Sequence, residues 1–372
     1  MILIYLSVLL YILLIIWLLD GYKNLVDYYA PIKIIKSKFV SIVVAARNEE
    51  KNISALLECL NKQKYKKMFY EIIIVNDKSC DNTLAILNEY KTKINNLKII
   101  NITNTPKDWS SKKWALYKGI QASVGEIIIQ TDADCTMGEN WLQLMIEQFN
   151  DDDIGFVASL TPMYSNKNIF EKLLMSDSIA QDAISACAIG KGIVLSCTAR
   201  SMAFRKKHFN DVNGYKNIYN IASGDDDLLL HKIVYNIGCG VKYVIHKDAA
   251  VSSSPPTNIH DFINQRFRFA SKGLLYFKHN YISREMKIIL PIIFLTNLMI
   301  IISIIFFCNT LSVLWIMPFL FKTFVDFLIL YTFQKQLEIS WSWLTFFLLA
   351  VLHPYYIVFF GAMGPFRRVI WK

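Results

Sequence analysis

Short runs of β-branched residues alternate with segments of helical period through the middle of this chain, and long apolar stretches stand at both ends. Ile2 to Leu19 is apolar apart from Ser7, about 27 Å of helix and enough for a bilayer core. This predicts a transmembrane helix over 1–20. From Lys287 onward the chain turns apolar again, with spans at Ile288 to Phe307, Leu311 to Phe333 and Trp341 to Met363. A membrane region of three spans is expected over 287–372. Between the ends, Phe39 to Ala46, Glu71 to Val75, Leu97 to Ile102 and Ile127 to Ile129 read as strands. Helical patterns follow through Leu56, Leu57 and Leu60, from Thr83, and from Ser111 to Gln121. Such alternation predicts crossover units and an α/β fold with a mostly parallel sheet. The strands are continuously rather than alternately apolar, as in a sheet covered on both faces. Beyond them, Asn140 to Phe149 and Ile169 to Ala188 read as helices, Val194 to Phe204 as extended chain, and Asn258 opens an amphipathic helix.

Composition adds the setting. The 372 residues are 54% hydrophobic and the mean hydropathy is +0.32, too apolar for an ordinary soluble protein. The net charge of +10 is spread over connecting and membrane-proximal stretches without a nucleic-acid motif, so anionic lipid rather than nucleic acid is the expected partner. Lys23, Lys33, Lys36 and Lys38 follow the first span. By the positive-inside rule they put the next domain in the cytoplasm and make 21–38 a basic juxtamembrane linker. One span before and three after leave the C-terminus outside, whereas Arg367, Arg368 and Lys372 favour inside; one segment is then re-entrant or interfacial. Lys322 and Asp326, four apart within a span, are spaced to pair on one helix face. The seven cysteines have no metal-site spacing and read as reduced thiols.

The candidate chemistry is acidic. The strand at Ile127 runs into Asp132 and Asp134, which share a side if extended geometry persists. At the C-terminal tip of a strand, such a pair suits Mg²⁺ or Mn²⁺ bound together with substrate phosphates; its plainer meaning is an acidic turn. Ser223-Gly224-Asp225-Asp226-Asp227 is a second acidic cluster, which by itself could be only a helix N-terminus. In Asn264-Gln265-Arg266-Phe267-Arg268-Phe269, Gln265 and Arg268 share a helix face. This segment, 255–286, could also be a basic interfacial helix with Arg266 and Lys272 at lipid headgroups.

From about Val40 to Gly273, several separated motifs resemble the family 2 glycosyltransferases and their Rossmann-like GT-A fold. SIVVAARNEE is similar to the family's first strand and nucleotide-contacting loop, which places Ala45, Arg47 and Glu49 along the nucleoside. VNDKSCDNT is similar to the motif whose aspartate reads uracil, here Asp77. SKKWALYKGI resembles a Lys-x-x-Ala-Leu-Asn motif, making Lys112 a diphosphate contact, with Tyr117 where the family has Asn. The resemblance gives Asp132 and Asp134 to the metal and donor, Asp134 more directly. It also makes Asp226 the general base, with Asp225 beside the acceptor. QRFRF resembles the Gln-x-x-Arg-Trp motif of membrane-embedded members such as ceramide glucosyltransferases and polysaccharide synthases. Gln265 and Arg268 would then serve the donor and Phe269, in place of Trp, the acceptor.

The expectation is therefore a GT-A domain over 39–254 with flanking transmembrane helices. It would be an inverting, metal-dependent enzyme moving sugar from a nucleotide sugar, a UDP-sugar first, to a membrane lipid or lipid-linked acceptor. A bacterial inner membrane is the expected location. A processive synthase shares these residues but needs more spans. A non-catalytic scaffold would be expected to lose Asp134, Asp226 or Arg268, and all are present. A dinucleotide oxidoreductase lacks its G-x-G-x-x-G turn.

Overall fold

The computed structural model describes residues 1–26, 38–165 and 167–367; Lys33, Lys36, Arg368 and Lys372 lie outside them. In chain order the elements are α1 (Ile2–Val26), β1 (Val40–Ala46), α2 (Ile53–Asn61), β2 (Tyr70–Asp77), α3 (Thr83–Lys91), β3 (Leu97–Ile102) and α4 (Ser111–Ala122). Then come β4 (Ile127–Gln130), β5 (Cys135–Met137), α5 (Trp141–Glu147), β6 (Ile154–Ser159), α6 (Ile169–Gly190), β7 (Met202–Arg205), α7 (Lys206–Asp211) and α8 (Asp227–Ile237). The last are β8 (Gly240–Val244), β9 (Val251–Ser253), α9 (Ile259–Ala270), α10 (Leu275–Lys278), α11 (Arg284–Thr310), α12 (Val313–Gln336) and α13 (Trp343–Met363).

The chain forms two compact units. The first to carry chemistry, residues 28–162 and 196–254 of the chain's interior, is α/β. Among the described residues, seven of its strands form one sheet, ordered β3-β2-β1-β4-β7-β6-β8. β1 pairs in parallel with both β2 and β4, β2 with β3, and β6 with β8; β7 alone runs antiparallel, to β4 and β6. The mostly parallel sheet expected from the sequence is what forms. Alternate residues of β1 go to opposite faces. Val40, Ile42 and Val44 join a core with Leu56, Leu57, Leu60 and Trp141. On the other face α4 packs directly on Val43 and Val75, because residue 119 is glycine: a Cβ there would lie 2.5 Å from Val43 Cγ1 and 2.9 Å from Val75 Cγ2.

The extended segment expected at Val194 to Phe204 is shorter than that. β7 begins only at Met202, because the backbone before it turns, with Ser201 N donating to the Thr198 carbonyl, and so is not free for a strand ladder. The antiparallel pair β5–β9, three residues long on each side, has no sequence signal of its own.

The second unit gathers residues 1–27, 163–195 and 255–369; residues 163–195 thus group with the helical segments although they fall inside 39–254. Among the described residues, four helices here are long and apolar enough to cross a membrane: Ile2–Leu25, Arg284–Thr310, Val313–Gln336 and Trp343–Phe366. Lys322 pairs with Asp326 as expected, and Tyr11 on α1 donates a 2.7 Å hydrogen bond to the same carboxylate. Arg266 and Lys272 do not face headgroups: both are buried. Arg266 pairs with Asp177 of α6 at 2.7 Å and lies over the rings of Phe262, Phe269 and Tyr356. Rings and a carboxylate thus hold this guanidinium inside the protein rather than in water.

Gly119→Val should overpack the α4 seat and cost about 1–3 kcal/mol, read as a lowered melting temperature in detergent.

Candidate active site

Three neighbouring parallel strands, β2, β1 and β4, end side by side, the edge at which open α/β sheets bind ligands. Two loops leave this edge and tie to each other. After β1, Asn48 takes a left-handed backbone (φ 57), a conformation Asn tolerates better than most residues. Its N–H donates to Ser79 Oγ at 3.0 Å, and its Oδ1 accepts from Cys80 N at 2.9 Å. Glu49 N donates to Thr83 Oγ1 at 2.8 Å. The Arg47–Glu49 and Lys78–Thr83 loops therefore form one wall, with Ala45 at the end of β1 beneath it.

Asp77, the last residue of β2, is fully buried. One of its oxygens accepts from Ser111 Oγ and lies 3.9 Å from Arg47 Nη1. The other makes no hydrogen bond, and the Lys78 ammonium is 3.5 Å away. A buried carboxylate oxygen in this condition is a ready acceptor for an incoming N–H.

Beyond β4 the chain delivers Asp132, Asp134 and, across from them, Lys112 of α4. Lys112 Nζ stands 2.8 Å from Asp132 Oδ1 and 2.8 Å from Asp225 Oδ2. Burial alone would disfavour its charge, but Asp132 and Asp225 together raise its pKa above the usual lysine value. Protein around the Asp134 carboxyl and the negative field of Asp132 raise the Asp134 pKa, while Arg200 and Lys112 pull it down. Because Asp134 keeps an open face to solvent, the like charge of Asp132 is the firmer cause. Glu49 is raised as well, first by burial and then by the fields of Asp134, Asp132 and Asp81, against a hydrogen bond from Asn52.

The second acidic cluster opens α8. Asp225 and Asp227 are buried, Asp227 accepting from Leu228 N at 2.7 Å. Asp226 is the N-cap: its Oδ1 accepts from Asp227 N at 2.8 Å, and its Oδ2 lies 3.4 Å from Ala199 N. Asp226 is only half-buried, so of the three it is the carboxylate with access to solvent. Asp77, Lys112, Asp132 and Asp225 are thus linked by α4, with Arg47, Glu49 and Asp134 close by. Gln265, Arg268 and Phe269 stand on α9 in the helical unit.

Three contributors went unread in the sequence. Ser111 bonds Asp77, Arg200 opposes the charge of Asp134 while donating to Ser253 Oγ at 3.0 Å, and Lys113 is buried. Only Lys113 had a signal: it precedes Leu116 and Ile120 by three and seven residues, on the helix face that is buried.

Residues 41–212 match the family model described as Glycosyl transferase family 2. This stretch is a family 2 glycosyltransferase domain. Curated relatives match parts of this chain. A 4,4'-diaponeurosporenoate glycosyltransferase of Staphylococcus haemolyticus is 32% identical over 135 residues, 36% of this chain and 34% of that protein. A beta-monoglucosyldiacylglycerol synthase of Nostoc sp. is 34% identical over 119 residues, 32% of this chain and 25% of that protein. The chain spans about a third or less of the length of these relatives. Among solved structures, a mannosyltransferase of Pyrobaculum calidifontis in complex with GDP-Man and Mn²⁺ aligns with a TM-score of 0.57 at 14% identity. That alignment covers 97% of this chain and 98% of the other, a likeness of fold. The glycosyltransferase domain of this chain accordingly has the mostly parallel GT-A architecture.

Asp134 should titrate above the ordinary aspartate range. Lys112→Met removes a cation that lowers it, so the titration should move further up in pH, as followed by ¹³C NMR of labelled aspartate carboxyls; an unmoved or lowered value would contradict the geometry.

Proposed function

We propose that this chain is a membrane-bound, inverting glycosyltransferase that moves a sugar from a nucleotide diphosphate donor, a UDP-sugar first, to a lipid-linked hydroxyl. The observation that carries the reading is the convergence of Asp77, Lys112, Asp132, Asp134 and Asp225–Asp226 at the ends of adjacent strands. The relatives named for a carotenoid acid and for a diacylglycerol support a lipidic acceptor, and the four apolar helices support a membrane setting. A bacterial inner membrane with the domain on the cytoplasmic side completes the proposal.

In this mechanism the Asp77 oxygen that makes no hydrogen bond accepts an N–H of the base, and Ala45, Arg47 and Glu49 flank the nucleoside. Asp132 and Asp134 fit a hard divalent cation, Mg²⁺ or Mn²⁺: the set is all oxygen, and the mutual repulsion that raises Asp134 is relieved by positive charge. Among the described residues no three Asp, Glu, His or Cys form a ready cage, so the remaining ligands come from diphosphate and water, as such ions prefer. When bound, the ion supplies charge stabilisation for the departing diphosphate. Lys112 exchanges its aspartate partners for diphosphate oxygens, and Arg268, with Gln265, serves the same phosphates by resemblance to QRFRF-like motifs. Asp226 takes the proton of the acceptor hydroxyl as that oxygen bonds to the anomeric carbon. The carbon–oxygen bond to the diphosphate breaks with its electron pair on the leaving group, and one displacement inverts the centre. Asp225 and Phe269 line the acceptor side.

Purified protein in native lipid extract, screened with UDP- and GDP-sugars with and without Mn²⁺, tests this. We expect metal-dependent release of the nucleoside diphosphate and labelling of a lipid, with Asp226→Asn reducing turnover by about 100- to 10,000-fold. No turnover with any donor, and no metal-dependent nucleotide binding, would turn the reading to a non-catalytic scaffold.

A further inference from the structure

Lys113 is a buried charge for which this mechanism has no use. It is 1% exposed, yet its ammonium donates to three main-chain carbonyls, of Ile218 at 2.7 Å, Ile221 at 2.9 Å and Ser223 at 2.8 Å. A lysine taken out of water is costly, and an apolar side chain of similar length often fills such a space at no loss. What the charge supplies is order in the segment that it grips. The chain from Asn213 to Ser223 is irregular, with Asn213, Gly214 and Asn217 all in the left-handed region. Lys232 of α8 takes two more of its carbonyls, of Gly214 at 2.6 Å and Lys216 at 2.8 Å.

The grip continues to the acids. Ser223 is followed by Gly224, left-handed at φ 82 and packed so closely that a Cβ would lie 2.5 Å from Leu228 Cδ1. Lys113 holds the carbonyl before Gly224, and Lys112, its neighbour on α4, holds the Asp225 carboxylate after it. Two consecutive lysines therefore fix both sides of the turn that delivers Asp226.

We propose that Lys113 is a positioning residue for Asp226: it holds the Ile218–Ser223 carbonyls so that the Asp226 carboxylate is set against the acceptor while α4 is engaged at the donor. This rests on the glycosyltransferase reading above. The test compares Lys113→Met and Lys113→Gln with the unaltered protein. The readouts are turnover with the donor found active, calorimetric binding of its nucleoside diphosphate with Mn²⁺, hydrogen exchange over 213–226 and thermal melting. Lys113→Met should lower kcat by about 100-fold, the cost of a small misplacement. The nucleotide Kd should stay within about twofold and the donor KM be little changed, while exchange over 213–226 accelerates. Lys113→Gln, which keeps two N–H donors, should fall between, and it decides alone if Lys113→Met does not fold. Unchanged turnover, or nucleotide affinity lost in step with turnover, would overturn the proposal. Absence of both turnover with every donor and nucleotide–Mn²⁺ binding in the unaltered protein would overturn the underlying reading instead.

Discussion

Carboxylates gathered at the ends of neighbouring strands repel one another, and this site exists because the chain meets that repulsion from within. Lys112 sits between Asp132 and Asp225 at equal distances, Arg200 offsets Asp134, and Ser111 occupies one oxygen of Asp77. Asp134 is exposed and Asp132 and Asp226 are half-buried, so these three carboxylates still reach solvent.

Much of the α/β unit was legible because its physics is local. Continuous apolar runs mark strands covered on both faces, and the helices at Thr83 and Ser111 begin where the spacing puts them. The D-x-D pair was visible because strand geometry puts alternate side chains together. What could not be read depends on partners distant in sequence. The reversal of β7 and the β5–β9 pair are set by chain return rather than by propensity. Arg266 reads as an interfacial cation in a helix of strong amphipathic pattern, yet Asp177, 89 residues earlier, draws it inward. Nothing near Arg266 announces that carboxylate.

Lys113 is a different kind of omission. A charge on the buried face of a helix breaks the hydrophobic pattern, and such breaks tend to mark function or its support. The adjacent Lys112 fits a family motif, and Lys113 does not. The helical unit repeats the theme with Lys322, Asp326 and Tyr11, where polar groups in apolar surroundings are joined into a closed set.

Gly119 gives the arrangement its scale. Because residue 119 has no side chain, the helix rests at that point on Val43 and Val75 with no slack, and successive residues fan out by about 100°. Ser111, Lys112 and Lys113 then reach three different destinations from one rigid axis. The separation between nucleoside acid, metal-side acid and acceptor-side loop is set by backbone dimensions rather than by the reach of flexible side chains. A methyl group's difference in the floor of the sheet, about two turns from Lys112, is therefore felt as a change of alignment among all three at once.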